Sequence, residues 1–196
     1  MMTAADVVRV IKVIENLGIT VWLSDGGWGV DALLGEQTRP HNDVDLIVAL
    51  DDVPALRDVL AAQGLRLIEG QPPLCFVLAD DNGHLVDVHP VVFDDHGNGH
   101  YTMANDEVWV YPAAGFAGAG VVDGQPVRCL TAEVQVLCHA GYELREVDFH
   151  DMQALRRRFG VQLRPEHHRP PATTREQMSD RNKGGQQPKP RPGAFQ

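Results

Sequence analysis

Two aspartates one residue apart, Asp43 and Asp45, follow the run Gly26-Gly27-Trp28-Gly29-Val30-Asp31 by twelve residues. On a β-strand side chains alternate between faces, so the two carboxylates project together. Val44, Leu46 and Val48 then point the other way, into a core. Neighbouring carboxylates repel one another unless a cation lies between them. Mg²⁺ suits that position, since it takes hard oxygen ligands and is commonly held by one or two carboxylates plus substrate phosphates. Gly26 and Gly27 open a short helix and let the backbone approach a phosphate, where free N–H groups and the helix dipole favour negative charge. The two segments together predict a site for a metal–triphosphate.

A third acid completes the constellation. On a predicted strand over residues 85–89, Leu85, Asp87 and His89 share one face while Val86 and Val88 share the other. If that strand lies with or next to the Asp43 strand in one mixed sheet, Asp87 joins Asp43 and Asp45. Two of the acids then hold a pair of Mg²⁺ ions about 3.5–4 Å apart, and the third bridges one ion and takes a proton from an attacking hydroxyl. Arg39, just upstream, is placed to meet triphosphate oxygens through its planar fork. His41 is read as indirect support for Arg39 or the phosphates, and Asp31 as a structural residue of the short helix. His89 reads equally as a group that touches acceptor or metal and as a hydrogen-bonded structural histidine. Asp94, His96, Asn98 and Gly99 faintly mimic a calcium loop, but Asn105 stands where a bidentate acid is needed. Ser24-Asp25 sets another acid against the glycine turn.

These residues need elements to position them. The pattern predicts a helix capped by Thr3 and carrying Val7, Val10, Ile11 and Ile14 up to Gly18. A short buried strand over 20–23 feeds the glycine turn and a helix over 28–34. The acidic strand spans 43–50, and Asp51 or Asp52 caps a helix with Val53, Leu56, Val59 and Leu60, stopped by Gly64. Strands follow over 65–69 and 74–79. The next, over 85–89, is joined across the hairpin signal Asp80-Asp81-Asn82-Gly83 and is ended by Pro90. From Val91 to Cys129 the chain turns Gly-, Asp- and Asn-rich, with short strands at 107–111 and on both sides of Asp123-Gly124. So long an irregular stretch reads as a functional loop. Thr131 caps a helix through His139, and another spans 148–159 to Gly160. Tyr142, Glu143, Asp148 and Asp151 read equally as acceptor-pocket residues and as surface charges. Six prolines fall in the thirty-three residues from Arg164 to the end, which predicts a disordered Pro/Arg-rich tail over 164–196.

The chain has 196 residues and is 43% hydrophobic, enough for one good core with a small helical lobe attached. Its formal net charge of −10 is uneven: residues 1–163 hold ten basic against twenty-four acidic groups. A region near −14 lacks the basic patches that nucleic acid and anionic lipid require, so neither is expected as a partner. Such a surface suits a cationic small molecule, although it also serves solubility. Cys75, Cys129 and Cys138 are odd in number, lack C-x-x-C spacing and sit among apolar residues, which predicts reduced, buried thiols. Without an apolar leader or a long apolar run, the expected location is cytoplasmic, with no membrane span. A homodimer is left open.

Gly26 to Asp31, then Arg39-x-His41-x-Asp43-x-Asp45, then Val86-Asp87-Val88-His89-Pro90 resemble the small antibiotic nucleotidyltransferases, lincosamide enzymes first and aminoglycoside 2″-nucleotidyltransferases next. The resemblance covers roughly residues 8–158 and includes Ala132 to Gln135, His139 to Leu144 and Asp148 to Asp151 in the helical lobe. It implies an α+β, polymerase-β-like nucleotidyltransferase fold, with a mixed sheet flanked by helices and a small C-terminal helical lobe. The implied layout is a catalytic domain over 1–130, including an acceptor-side loop over 91–129, and an acceptor lobe over 131–163. The implied reaction moves an NMP from an NTP to an antibiotic hydroxyl with Mg²⁺, Asp43 and Asp45 binding metal and Asp87 as third acid. Gly26, Gly27 and Arg39 would bind the nucleotide, and His89, Tyr142 and Glu143 the acceptor. A lincosamide is favoured and an aminoglycoside is second. An AMP transferase acting on a macromolecule, or an antitoxin-type nucleotide-binding module, remain as alternatives.

Overall fold

The computed structural model of the chain describes residues 1–103 and 105–168; the predicted tail from 169 onward lies outside them. Helix α1 (Ala4–Glu15) begins at a reciprocal cap, where the Asp6 N–H donates to Thr3 Oγ1 at 3.2 Å and the Thr3 N–H to Asp6 at 3.1 Å. The chain continues through β1 (Val21–Leu23), α2 (Gly27–Leu34), β2 (Asp43–Ala49), α3 (Val53–Ala62), β3 (Arg66–Gly70), β4 (Phe76–Ala79) and β5 (Leu85–Phe93). Then come β6 (Gly99–Thr102), β7 (Val108–Tyr111), β8 (Gly118–Val122), β9 (Gln125–Cys129), α4 (Ala132–Cys138) and α5 (Glu146–Phe159).

The nine strands of the described residues form one sheet, in the order β3-β4-β5-β2-β1-β9-β8, with β6 on the far half of β5 and β7 on β6. The β2–β5 and β1–β9 pairs are parallel and the others antiparallel, giving the mixed sheet of an α+β fold. The central strands are buried on both faces. Val44, Leu46, Val48, Val86 and Val88 pack with α1 and α3 through Val7, Ile11, Ile14, Leu56 and Leu60. On the opposite face Ile47 and Val91 pack with Tyr101, Met103, Tyr111 and Leu130. The acids emerge on that second face.

Two expectations about the strands are corrected. Pro90 does not end its strand: β5 runs on to Phe93, with Pro90 opposite Val48 of β2. On its other edge β4 pairs only as far as Val88 and β6 begins at Val91. The proline sits at that handover, where a missing N–H costs no ladder bond. The stretch 91–129 is also no irregular loop, but hairpins built into the sheet with a short 3₁₀ turn at Ala113–Ala117. Its Asp and Gly residues are turn residues; Asp123 and Gly124, at φ 49° and 70°, form the two-residue β8–β9 turn.

Helices α4 and α5 pack on α2 through Val30, Ala132, Val136, Met152, Leu155 and Val161. This lobe extends further than the sequence suggests. Residues 164–168, assigned to the tail, include a 3₁₀ turn over Pro165–His167 whose His167 is fully buried. The Arg164 N–H donates to His167 Nδ1 at 3.1 Å, and Nε2–H donates to the His139 carbonyl. The folded part therefore reaches His168. Cys75, Cys129 and Cys138 are buried thiols outside any disulfide. Among the described residues no helix is long and apolar enough to cross a membrane.

Candidate active site

The parallel register of β2 on β5 builds the centre: Asp45 lies opposite Asp87, Asp43 opposite Leu85 and Ile47 opposite His89. Asp45 is buried, whereas Asp43 and Asp87 are half-buried and open to solvent. Ligand atoms of Asp45, Asp87 and His89 lie within 4.8 Å of one another. Hard carboxylate donors at that spacing fit a divalent cation. The His89 Nε2 is 3.6 Å from Asp87 Oδ1 and 3.9 Å from Asp45 Oδ1. Burial alone would lower the pKa of His89, but the carboxylates of Asp87, Asp25 and Asp45 outweigh it and push it up to about 9.

The turn between β1 and α2 closes one side. Asp25, 8% exposed, accepts from Ser24 Oγ at 2.9 Å and from the Tyr111 hydroxyl at 3.4 Å. Burial first, and then the Asp25 charge, hold the Tyr111 hydroxyl well above its ordinary pKa, so it stays a donor. Gly26 caps α2 and Gly27 is its first residue. A Cβ at Gly27 would stand 1.9 Å from His41 Nδ1 and 2.9 Å from Arg39 Nη2. Gly27 is thus required by the close approach of these two side chains. At Gly29 a Cβ would stand 2.1 Å from the Ser24 carbonyl and 2.5 Å from Gln135 Nε2, which itself donates to that carbonyl at 3.0 Å. The glycine turn is thereby clamped to α4.

Arg39 lies beside the turn as expected, but most of its donors are already engaged. Nε donates to Asp151 Oδ1 at 3.1 Å, Nη2 to Asp151 Oδ2 at 2.6 Å, and Nη1 to His41 Nδ1 at 3.0 Å. Arginine only donates, so His41 Nδ1 is an acceptor and its Nε2–H donates to Asp31. Asp31 also accepts from the Thr38 N–H at 3.0 Å and hydroxyl at 2.7 Å. A chain of contacts, Asp31–His41–Arg39–Asp151, buried except at the half-buried Arg39, therefore ties α2 to α5.

The helical lobe faces the acids through the α4–α5 linker. Tyr142 is half-buried there, and burial followed by the charges of Asp148 and Asp25 raises its pKa strongly. Glu143 is exposed on the same linker. Asp148 and Asp151 are buried ion-pair partners of Arg145 and Arg39, so neither is a surface charge. Arg145 pairs with Asp148 at 2.9 Å and also feels the charge of Asp43. Sequence reasoning passed over Arg145 and Tyr111. Neither carries a local signal, because their relevance comes from chain segments far from the acids.

A mixed sheet that sets two strands of acids beside a glycine-opened helix defines a nucleotidyltransferase. A family model described as aminoglycoside-2''-adenylyltransferase matches residues 6–155, and the chain belongs to that family. A lincosamide resistance protein of Staphylococcus haemolyticus is 31% identical over 157 residues, 79% of this chain and 94% of that protein. A 2''-aminoglycoside nucleotidyltransferase of Escherichia coli is 30% identical over 121 residues, 62% of this chain and 63% of its own length. Among solved structures, the lincomycin-bound lincosamide antibiotic adenylyltransferase LnuA matches with a TM-score of 0.70 at 26% identity, covering 79% of this chain and 97% of that one. ANT(2")-Ia in complex with adenylyl-2"-tobramycin shares the fold, with a TM-score of 0.62 at 23% identity, covering 79% of this chain and 87% of that one.

Proposed function

We propose that this enzyme transfers the NMP group of a magnesium-bound NTP to a hydroxyl of a lincosamide antibiotic. The parallel β2–β5 register, which sets Asp45 opposite Asp87 with Asp43 on the same face, carries the chemical part of this reading. The acceptor oxygen forms a bond to the α-phosphorus, and the bond from that phosphorus to the bridging oxygen of the β-phosphate breaks. Pyrophosphate leaves, and the hydroxyl proton passes to the Asp87 carboxylate, the more exposed of the paired acids. Two Mg²⁺ ions held by Asp43, Asp45 and Asp87 would neutralise the triphosphate and the leaving pyrophosphate. The N-terminus of α2, at Gly26 and Gly27, receives phosphate oxygens. Arg39 supplies its remaining Nη2 donor beside that turn. Tyr142 and Glu143 on the α4–α5 linker take the acceptor side. The cytoplasm is the compartment that supplies the NTP.

The choice of acceptor is supported by the extent of likeness. A match of 157 residues is longer than the catalytic part over 1–130, so it reaches into the helical lobe, and it covers 94% of the lincosamide resistance protein. The aminoglycoside relative is matched over 63% of its length. An aminoglycoside is the second reading, favoured by the acidic balance of residues 1–163, which attracts a polycation. Labelled ATP and GTP, offered with lincosamides and with aminoglycosides, test both. Pyrophosphate release with lincosamides is the expected result. Release only with aminoglycosides transfers the function to the second reading, and nucleotide binding without release from any acceptor leaves a nucleotide-binding module.

A further inference from the structure

We propose that His89 is a nitrogen ligand to the divalent metal ion held by Asp45 and Asp87, giving this transferase a mixed nitrogen–oxygen metal site. The proposal rests on the nucleotidyl-transfer reading but concerns a different property, the identity of the metal's donor atoms. His89 is 8% exposed, and neither of its ring nitrogens makes a hydrogen bond; Nε2 has only the longer ion-pair contacts to Asp87 and Asp45. A buried polar group left without a partner is costly, and such groups recur where a ligand or ion belongs. The ring is held in place by Tyr101, with centroids 5.0 Å apart and planes at 32°. Thus Nε2 faces the two carboxylates at 3.6 and 3.9 Å, too long for a hydrogen bond to either. Two donors on one ion with bonds of about 2.1 Å stand about 3.0 Å apart at a right angle and about 4.2 Å apart when opposite. The separations here fall within that interval.

The position of His89 follows from the strand. It lies two residues beyond Asp87 on the same face of β5, diagonal to Asp45 across the register. A side chain there faces the space between the acids. Carboxylate sites suit Mg²⁺ and Mn²⁺, whereas an imidazole donor adds affinity for the later ions of the series, Co²⁺ among them.

The decisive measurement is electron spin-echo envelope modulation of Mn²⁺ bound to the full chain with α,β-methylene-ATP or -GTP, whose bridge contains no nitrogen. Modulation from a directly bonded ¹⁴N is expected in the native protein. It should disappear in His89→Gln with Mn²⁺ still bound, and change to the ¹⁵N pattern when histidine is ¹⁵N-labelled. Calorimetry should show Co²⁺ binding weakened at least about tenfold in that variant, while Mg²⁺ binding changes less than about threefold. Mn²⁺ bound without ¹⁴N modulation, or modulation that persists in His89→Gln, overturns the proposal even where pyrophosphate release stands. Because the native spectrum alone decides the first point, a poorly folded variant does not remove the test. Failure of any metal to bind would sink this proposal and the transferase reading together.

Discussion

Asp45 and Asp87 sit opposite one another but differ in exposure, and the roles proposed for them follow that difference. Asp45 is 7% exposed, a group suited to hold metal, so Asp45→Asn is expected to abolish turnover and weaken metal–nucleotide binding. Asp87, half-buried, is expected to lose turnover by about 10²–10⁴-fold as asparagine while nucleotide affinity falls less. Pyrophosphate release with calorimetric nucleotide binding reads both. Equal small losses in the two variants would mean that the carboxylates are only a solvated strand face. Arg39 gives a second prediction. Burial opposes its charge, but hydrogen bonding to Asp151 outweighs that and raises its pKa. Asp151→Ala leaves this guanidinium without its counter-ion and is expected to cost about 3 kcal/mol. The Arg39→Ala/Asp151→Ala double variant should lose less than the sum of the singles in urea denaturation.

Helices α2 and α5 carry the next predictions. A methyl group at Gly27 has no room beside His41 and Arg39. Gly27→Ala is therefore expected to cost about 1–3 kcal/mol in overpacking, and to raise the apparent KM for NTP by displacing Arg39 from the turn. A variant with unchanged melting and unchanged KM would refute that role. The N-terminus of α5 depends on Asp148. Burial alone would raise its pKa, but hydrogen bonds from the Arg145 side chain and backbone outweigh it, so the net shift is downward. The folded carboxyl thus titrates below the value of about 3.9 expected when unfolded. Its contribution is complete above that value and disappears as pH falls through the folded pKa. Asp148→Asn should lower the melting temperature near neutral pH, and the native and variant curves should converge on acidification.

Across the whole molecule, charge distinguishes the two acceptor classes. Residues 1–163 carry a balance near −14, and residues 164–196 carry seven basic against three acidic groups. A polycationic aminoglycoside drawn by that field should lose kcat/KM steeply as ionic strength rises, whereas a singly charged lincosamide should respond far less. A salt titration of both acceptors under one nucleotide concentration measures the contrast. Parallel slopes for the two would mean that the acidic surface has no part in acceptor capture.

Much of the catalytic strand was legible in the chain itself. Alternation over Asp43 to Val48 set the acids on one face, Thr3 and Asp6 marked the first cap, and Asp123-Gly124 marked a turn that needs positive φ. These signals are local: they depend on strand period, cap chemistry and steric limits within a few residues. Strand alternation over 85–89 and the resemblance to antibiotic nucleotidyltransferases both pointed to Asp87 as the third acid. What only the tertiary structure decided depends on segments far apart. The β2–β5 register made Asp45 and Asp87 direct neighbours, and the handover from β4 to β6 let β5 run through Pro90. Arg39 met Asp151, 112 positions away, and Tyr111 reached Asp25, 86 positions away. The turn-rich stretch over 91–129 entered the sheet because its hairpins found edges to pair with, and this brought Tyr101 against the His89 ring. Such contacts follow from how whole elements fill the core together, a quantity that no short window of sequence contains.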